Sequence, residues 1–247
     1  ISGSGFGTKS TAAPVKWDDF ESGSPTGWTF LGGGSSWSVS SSIKRGNYAM
    51  QKLNSYATDR MQIYPASNRS YYYTSFWLYP ASNYTGNGND KIVRIGESSG
   101  QSNLVVGRDY DTVETTPCSA YDTQVVYRGT AVTAIRGQWN FVEMHADVAG
   151  DKASITVNGS TWSTFPRSGC STVWSAWDAT PYMAYGAWFG TGGIQGGWYF
   201  DDIYIDYTPA RAMVCNGSTW NSRGRCEMQH PTSWSSSQIA ATVNRGG

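Results

Sequence analysis

The sequence predicts an all-β protein, an antiparallel sandwich of the jelly-roll type. The first observation is composition, since the 247 residues include 29 Gly, 12 Trp and 16 Tyr. Trp, Tyr and Thr favour strands, whereas Gly, Ser and Asn favour turns. The second is the alternation of apolar and polar residues in short runs, with almost no helical periodicity. The third is the set of turn-rich clusters between those runs, such as NYTGNGND and GTGGIQGG.

Charge and hydropathy exclude several classes of partner. The formal net charge is zero and 15% of residues are charged, so nucleic acid is not an expected partner. No apolar run approaches the length of a membrane span. The absence of an initiator Met and of a leader suggests processing or excision from a longer chain. A low content of charged residues together with many Trp and Tyr residues favours an extracellular or cell-surface protein that exposes aromatic side chains.

The strands follow from the alternating runs and the turn residues that separate them. Asn158 and Gly159 stand between two alternating runs and predict a tight hairpin. Regular short strands with such turns are typical of sandwiches and jelly rolls. The predicted strands are SYYYTSFWLYP, DKIVRIGE, SNLVVGR, TQVVYRG, WNFVEMHADV, ASITVNGSTW, PYMAYGAWFG and GWYFDDIYIDY.

The four cysteines, Cys118, Cys170, Cys215 and Cys226, predict two disulfides. Their spacing matches no zinc pattern, and disulfides indicate an oxidising compartment. Three connectivities are open. We favour Cys215–Cys226, because VCNGSTWNSRGRC has the form of a hairpin with turn residues in its middle. Cys118–Cys170 then remains as a disulfide that links two long loops. The alternative is that all four cysteines are free thiols.

Four motifs follow one another through the middle of the chain: WDDFESGSPTGWTF, SFWLYP, GQWNFVEMHADVAGDKASITVNG and WYFDDIYIDY. In this order they resemble the concanavalin A-like jelly rolls of the laminin G, MAM and legume-lectin type. In those folds an early D-F-E strand lies near a late D-D-I strand. The resemblance covers roughly residues 16–208, and it implies a jelly-roll domain of residues 14–208.

The two ends of the chain carry a second pattern, ISGSGFGTK at the start and PTSWSSSQIAATV near the end. These segments resemble strands of an IPT/TIG immunoglobulin-like domain. The resemblance implies a small immunoglobulin-like β module formed by both termini, residues 1–13 plus 209–247, into which the jelly roll is inserted. Compared with the resembled domain, the module lacks a strand before Ile1 and further strands after Gly247, which a neighbouring copy could add at its exposed edges. A structural subunit of an extracellular filament or surface layer is therefore one predicted function.

Aromatic residues alternate with core residues on two predicted strands. We place Phe76 and Leu78 in the core from one strand, and Tyr199, Ile203 and Ile205 from the other. The side chains then placed outward are Tyr71, Tyr73, Trp77, Tyr79, Trp198, Phe200, Asp202 and Tyr204. Sugar rings stack on such aromatics, while polar groups bind their hydroxyls. The predicted ligand-binding residues are Tyr73, Trp77, Tyr79, Trp139, Glu143, His145, Trp198 and Tyr204. A core role for each aromatic is the alternative.

The strand WNFVEMHADV places Val142 and Met144 inward, and Glu143, His145 and Asp147 in line on the opposite face. Jelly-roll glycosidases carry paired carboxylates on one strand, but their motif is not matched here. The Arg-rich and Q-x-H strands of jelly-roll polysaccharide lyases are not matched either. We therefore expect no catalysis, and a solvated sheet face explains these residues. A lyase or glycoside hydrolase with an unrecognised site is the enzymatic alternative.

Acidic residues cluster on the early and late strands of the resembled fold. Several jelly rolls of this class hold a calcium ion there, and calcium takes six to eight oxygen ligands. The predicted calcium ligands are Asp19, Glu21 and Asp202, and the loop NYTGNGND is a second oxygen-rich candidate. Like charges held together need a metal or an Arg partner. Surface carboxylates near Lys16 or Arg60 are the alternative.

These observations favour a secreted, non-catalytic β-sandwich module for surface adhesion or for binding a polysaccharide or cell-surface glycan. The filament subunit, which would bind copies of itself, and the polysaccharide-degrading enzyme are the two alternatives.

Overall fold

The computed structural model describes residues 1–32, 36–53, 59–84, 90–97, 103–109, 112–116, 118–120, 123–125, 136–150, 152–166, 181–188, 196–219 and 226–246. This part of the chain contains twenty β-strands and no helix. The strands are β1 Lys16–Asp18, β2 Thr29–Leu31, β3 Trp37–Ser40, β4 Ala49–Leu53, β5 Arg60–Ile63, β6 Tyr71–Pro80, β7 Asp90–Glu97, β8 Asn103–Asp109, β9 Thr112–Thr116, β10 Cys118–Ala120, β11 Thr123–Val125, β12 Asn140–Asp147, β13 Lys152–Val157, β14 Ser160–Pro166, β15 Pro181–Trp188, β16 Gly197–Asp206, β17 Met213–Cys215, β18 Cys226–Met228, β19 His230–Trp234 and β20 Ile239–Thr242.

Two antiparallel sheets form the sandwich. The first has eight strands in the order β14-β13-β12-β6-β16-β4-β3, with β1 paired to β16 on the same edge as β4. The second has six strands in the order β2-β5-β15-β7-β8-β9. The all-β jelly-roll sandwich predicted from the sequence is therefore confirmed. Among the described residues, no helix is long and apolar enough to cross a membrane.

The core lies between the two sheets. Alternate residues of β6 and β12, including Phe76, Leu78 and Met144, are fully buried against Val93 and Tyr185 of the second sheet. The inward positions predicted for β6 and β12 are thus confirmed. The predicted hairpin joins β13 to β14 at Asn158–Gly159, where both residues have positive φ, as a tight primed turn requires.

The predicted facing of β16 is wrong in its first half. Trp198 and Phe200 belong to the core cluster. Tyr199, which is 7% exposed, is grouped with that cluster as well, but its register with Tyr79 places it on the opposite face of the strand. The register shifts between Asp201 and Tyr204, and Asp202 has a φ of 49°. This bulge adds one residue and so reverses the alternation. Ile203 and Ile205 consequently return to the core, as predicted.

A layer formed by both termini covers part of the outer face of the eight-stranded sheet. We call it the terminal layer, and it comprises the described residues of 1–13 and 209–246. Its strands form two hairpins, β17-β18 and β19-β20. The amino terminus pairs with the second hairpin, since Ser2 bridges to Gln238 and Ile239 donates its N–H to the carbonyl of Ile1 at 2.9 Å. The two ends therefore meet, while the immunoglobulin-like identity of this layer stays a prediction.

The predicted Cys215–Cys226 disulfide is confirmed, and it links β17 to β18. Cys170 lies outside the described residues, so Cys118–Cys170 stays a prediction.

Candidate functional site

The outer face of the eight-stranded sheet carries most of the predicted site residues. Strand register divides this face into a covered aromatic zone, an acidic cavity, a polar cluster and an open row.

The covered aromatic zone lies under the terminal layer. Tyr73, Trp77, Phe141 and Tyr204 form one buried cluster with Met228 of β18. Their exposed fractions range from 0 to 6%. Tyr73 and Tyr204 pack edge to face with ring centroids 5.9 Å apart. These aromatics face outward from the sheet, as predicted, but a second layer of protein already occupies their surface.

Arg45 anchors the terminal layer to the sheet. Its guanidinium hydrogen-bonds both carboxylate oxygens of Glu227 and lies 3.5 Å from Asp202. The same group lies 3.6 Å from the ring centroid of Trp77, which is cation–π distance. Arg45 is 5% exposed. A single buried cation thus joins β16, β6 and β18.

The predicted calcium ligands Asp19, Glu21 and Asp202 line one cavity of about 130 Å³ beside Arg45. Their oxygens meet N–H donors. The backbone N–H of Asn47 donates to both carboxylate oxygens of Glu21, at 2.8 and 2.9 Å, and Asp202 accepts a hydrogen bond from the Asn244 amide at 2.9 Å.

No group of three or more His, Cys, Asp or Glu residues in the described ranges could hold a metal ion. Arg45 supplies a positive charge beside these carboxylates, and a calcium ion held by them stays a prediction. The second candidate calcium site was the loop with Asn87, Asn89 and Asp90. Asn87, Asn89 and the side chain of Asp90 lie outside the described residues.

Burial raises the pKa of both Asp201 and Asp202 above the ordinary carboxyl range. The charge of Asp202 adds to the shift in the pKa of Asp201, whereas Arg45 opposes the shift at Asp202. Asp201 also accepts the backbone N–H of Arg45 at 3.1 Å. The pair is a structural acidic centre beneath the terminal layer.

The polar cluster lies at the other end of β6 and β12. Tyr71 hydrogen-bonds His145 Nδ1 at 2.8 Å, and Tyr73 donates to Glu143 at 2.8 Å. Arg211 of the terminal layer forms a 2.6 Å ion pair with Glu143. Burial, aided by the charge of Arg211, lowers the pKa of His145 to about 4. The imidazole is therefore neutral near pH 7 and a weaker base than an ordinary histidine.

The open row crosses five neighbouring strands. Ser38 pairs with Gln51, Gln51 with Tyr199, and Tyr199 with Tyr79. Trp139, just before β12, completes the row with its ring centroid 5.5 Å from that of Tyr79. Gln51 donates to the Tyr199 hydroxyl at 2.6 Å. Because adjacent strands are separated by about 4.8 Å, the row is about 19 Å long.

The open row differs from the covered zone in exposure. Ser38 is exposed, while Gln51, Tyr79 and Trp139 are half-buried and Tyr199 is 7% exposed. Among the predicted ligand-binding residues, the structure thus leaves Tyr79 and Trp139 partly exposed. Trp198 lies in the core, and Tyr73, Trp77, Glu143 and Tyr204 lie beneath the terminal layer or within its contacts. Gln51 and Tyr199 were not among the predicted ligand-binding residues; they share a face because they pair directly across β4 and β16.

The architecture places the chain among β-sandwich proteins of the jelly-roll type. It is similar to "Cellulose induced protein, Cip1", with 18% identity over 78% of this chain and 97% of that chain and a TM-score of 0.56. It is also similar to "alginate lyase A1-II', a member of polysaccharide lyase family-7", with 12% identity over 70% of this chain and 83% of that chain and a TM-score of 0.51.

At these identities the likeness shows the fold alone, and it is consistent with the concanavalin A-like class. No protein-family model and no curated protein match the chain.

Proposed function

We propose that the protein is a non-catalytic, extracellular carbohydrate-binding module that holds a polysaccharide across the open row. The observation that carries the proposal is the alignment of the half-buried Gln51, Tyr79 and Trp139 with the largely buried Tyr199 across consecutive strands. Aromatic rings offer stacking surfaces to sugars, and the adjacent amide and hydroxyl groups can bind sugar hydroxyls. A row running across strands suits an extended chain of several sugar units.

The two jelly-roll proteins named above support this proposal. One is a cellulose-induced protein and the other an alginate lyase.

The test is binding to a panel of soluble and insoluble polysaccharides by affinity electrophoresis and pull-down. We expect Trp139→Ala and Tyr79→Ala each to weaken binding at least tenfold, about 1.4 kcal/mol, because aromatic anchors dominate such interfaces. Tyr64→Ala is the matched control, since Tyr64 is 58% exposed and lies outside the row. Equal losses in the control, or no binding by the folded protein to any polysaccharide, would refute the proposal.

The polar cluster supports a second candidate function, a polysaccharide lyase. The Tyr71–His145 hydrogen bond of 2.8 Å joins a half-buried phenol to a neutral imidazole. Such a pair can take the proton next to a uronate carboxyl group and return a proton to the departing sugar oxygen, leaving a carbon–carbon double bond. Arg211 already forms an ion pair with Glu143, so the guanidinium of Arg211 is not available to neutralise a substrate carboxylate. We therefore rank binding above catalysis.

Absorbance of unsaturated uronates tests the lyase function directly. Release by the intact protein that disappears in both His145→Ala and Tyr71→Phe would establish it. No release from any polyuronate would leave binding as the function.

A further inference from the structure

A separate cleft of about 530 Å³ lies where the amino-terminal segment crosses the end of β16 and the loop before β6. Its lining includes Thr8, Lys9 and Ser10 of the amino-terminal segment together with Arg69, Ser70 and Tyr207. This volume is in the range of small-molecule sites. The cleft shares no residue with the open row.

Two cations line the cleft, and their partners differ. Lys9 forms a 2.5 Å ion pair with Asp206 and also donates to the carbonyl of Ala12 at 2.8 Å and to the Tyr204 hydroxyl at 3.2 Å. An ammonium has three donors, so Lys9 is fully engaged. Arg69 is exposed and has no carboxylate partner among the described residues. The cleft therefore keeps one uncompensated positive charge.

Arg69 is also held in position. Its guanidinium carbon lies 4.6 Å from the ring centroid of Tyr207. Stacking uses the planar face of the guanidinium and leaves its N–H edge for acceptors. The hydroxyl of Tyr207 accepts the N–H of Ala66, and Tyr72 donates to the Ala66 carbonyl at 3.2 Å. These two tyrosines fix the loop that carries Arg69, so little ordering is needed when an anion binds.

The rest of the lining is rich in hydroxyl groups. Thr8, Ser10, Thr11, Ser70 and Thr208 all contribute to it. Hydroxyls both donate and accept hydrogen bonds, which matches the hydroxyls of a sugar. A planar cation beside several hydroxyls matches a sugar that also carries a carboxylate.

We propose that this cleft binds one carboxylated sugar unit, a uronate, through Arg69. The carboxylate accepts hydrogen bonds from the guanidinium edge, and the serine and threonine hydroxyls bind the ring hydroxyls. Since Arg69 is exposed, binding weakens as salt concentration rises.

The experiment is titration of the full chain with D-glucuronate by calorimetry or saturation-transfer NMR, with D-glucose as the neutral match. We expect glucuronate to bind at least tenfold more tightly than glucose. Arg69→Gln should remove that preference and Arg69→Lys should retain part of it. Arg245→Gln, which removes an exposed arginine elsewhere, should change nothing.

Three results would overturn the proposal. They are unchanged glucuronate binding by Arg69→Gln, acetate binding as tightly as glucuronate, and glucose 6-sulfate binding as tightly as glucuronate. The last result would show that the cleft recognises negative charge in general and does not select a carboxylate.

Trp139→Ala separates this site from the polysaccharide row. It should keep glucuronate binding, whereas Arg69→Gln should keep binding to neutral polysaccharide. Failure of either site can thus be recognised independently of the other.

Discussion

Replacing Arg45 with Met removes the cation that joins the terminal layer to the sandwich. The substitution leaves Glu227 and Asp202, which are 7% and 4% exposed, without their positive partner. It also removes the cation–π contact with Trp77. Breaking a buried ion pair costs about 3–5 kcal/mol, because the remaining charge stays desolvated. We expect a loss of that size in the free energy of unfolding at pH 7.

At about 2–4 °C per kcal/mol for a chain of this length, the unfolding midpoint should fall by about 6–20 °C. The loss should be smaller at pH 5, because burial raises the pKa of Asp202 and lets the orphaned carboxylate take up a proton.

Urea unfolding followed by Trp fluorescence measures the loss. Lys44→Met is the matched control, since Lys44 is the exposed neighbour of Arg45. Combining Arg45→Met with Glu227→Gln gives a double-mutant cycle that isolates the pair. A difference below about 1 kcal/mol between Arg45→Met and the control, or a coupling energy near zero, would show that Arg45 does not anchor the layer.

Burial lowers the pKa of Lys52 to about 8 from 10.5. The unfolded chain therefore binds more protons between these values, so stability should rise by about 2 kcal/mol from pH 7.5 to 9.5; Lys52→Met should abolish this rise in urea unfolding. Replacing Cys215 and Cys226 together with Ser opens a loop of sequence separation 11 and should cost roughly 2–3 kcal/mol; an unchanged urea midpoint would contradict this. Calcium is expected to raise the thermal midpoint, and EGTA to lower it, if the acidic strands bind the ion; equal midpoints would show that Arg45 alone compensates the carboxylates.

The sequence was sufficient for strands whose alternation is unbroken. In β6 and β12 the apolar positions, such as Phe76 and Met144, lie in the core as predicted. The β17-β18 hairpin with its disulfide was equally local, because its two cysteines are only 11 residues apart. Period-two patterns and short-range turns are encoded in neighbouring residues.

The covering of the aromatic face could not be predicted in the same way. Arg45 and Glu227 are 182 residues apart, and Met228 is separated from Tyr73 by most of the jelly roll. An outward-facing aromatic on a strand looks the same in sequence whether solvent or another layer covers it. The prediction of a broad ligand platform therefore identified the correct face of β6 but not the terminal layer upon it.

The bulge at Asp201 and Asp202 connects these two outcomes. Without it, strict alternation would place Tyr199 and Ile203 on one face, and either an aromatic or an aliphatic residue would lie on the wrong side. The added residue lets Ile203 enter the core while Tyr199 and Tyr204 share the outer face. One strand therefore supplies both the open row and the covered zone. The same irregularity brings the two carboxylates to Arg45. The bulge that breaks the periodic pattern therefore also creates the anchor for the layer that covers the rest of the aromatic face.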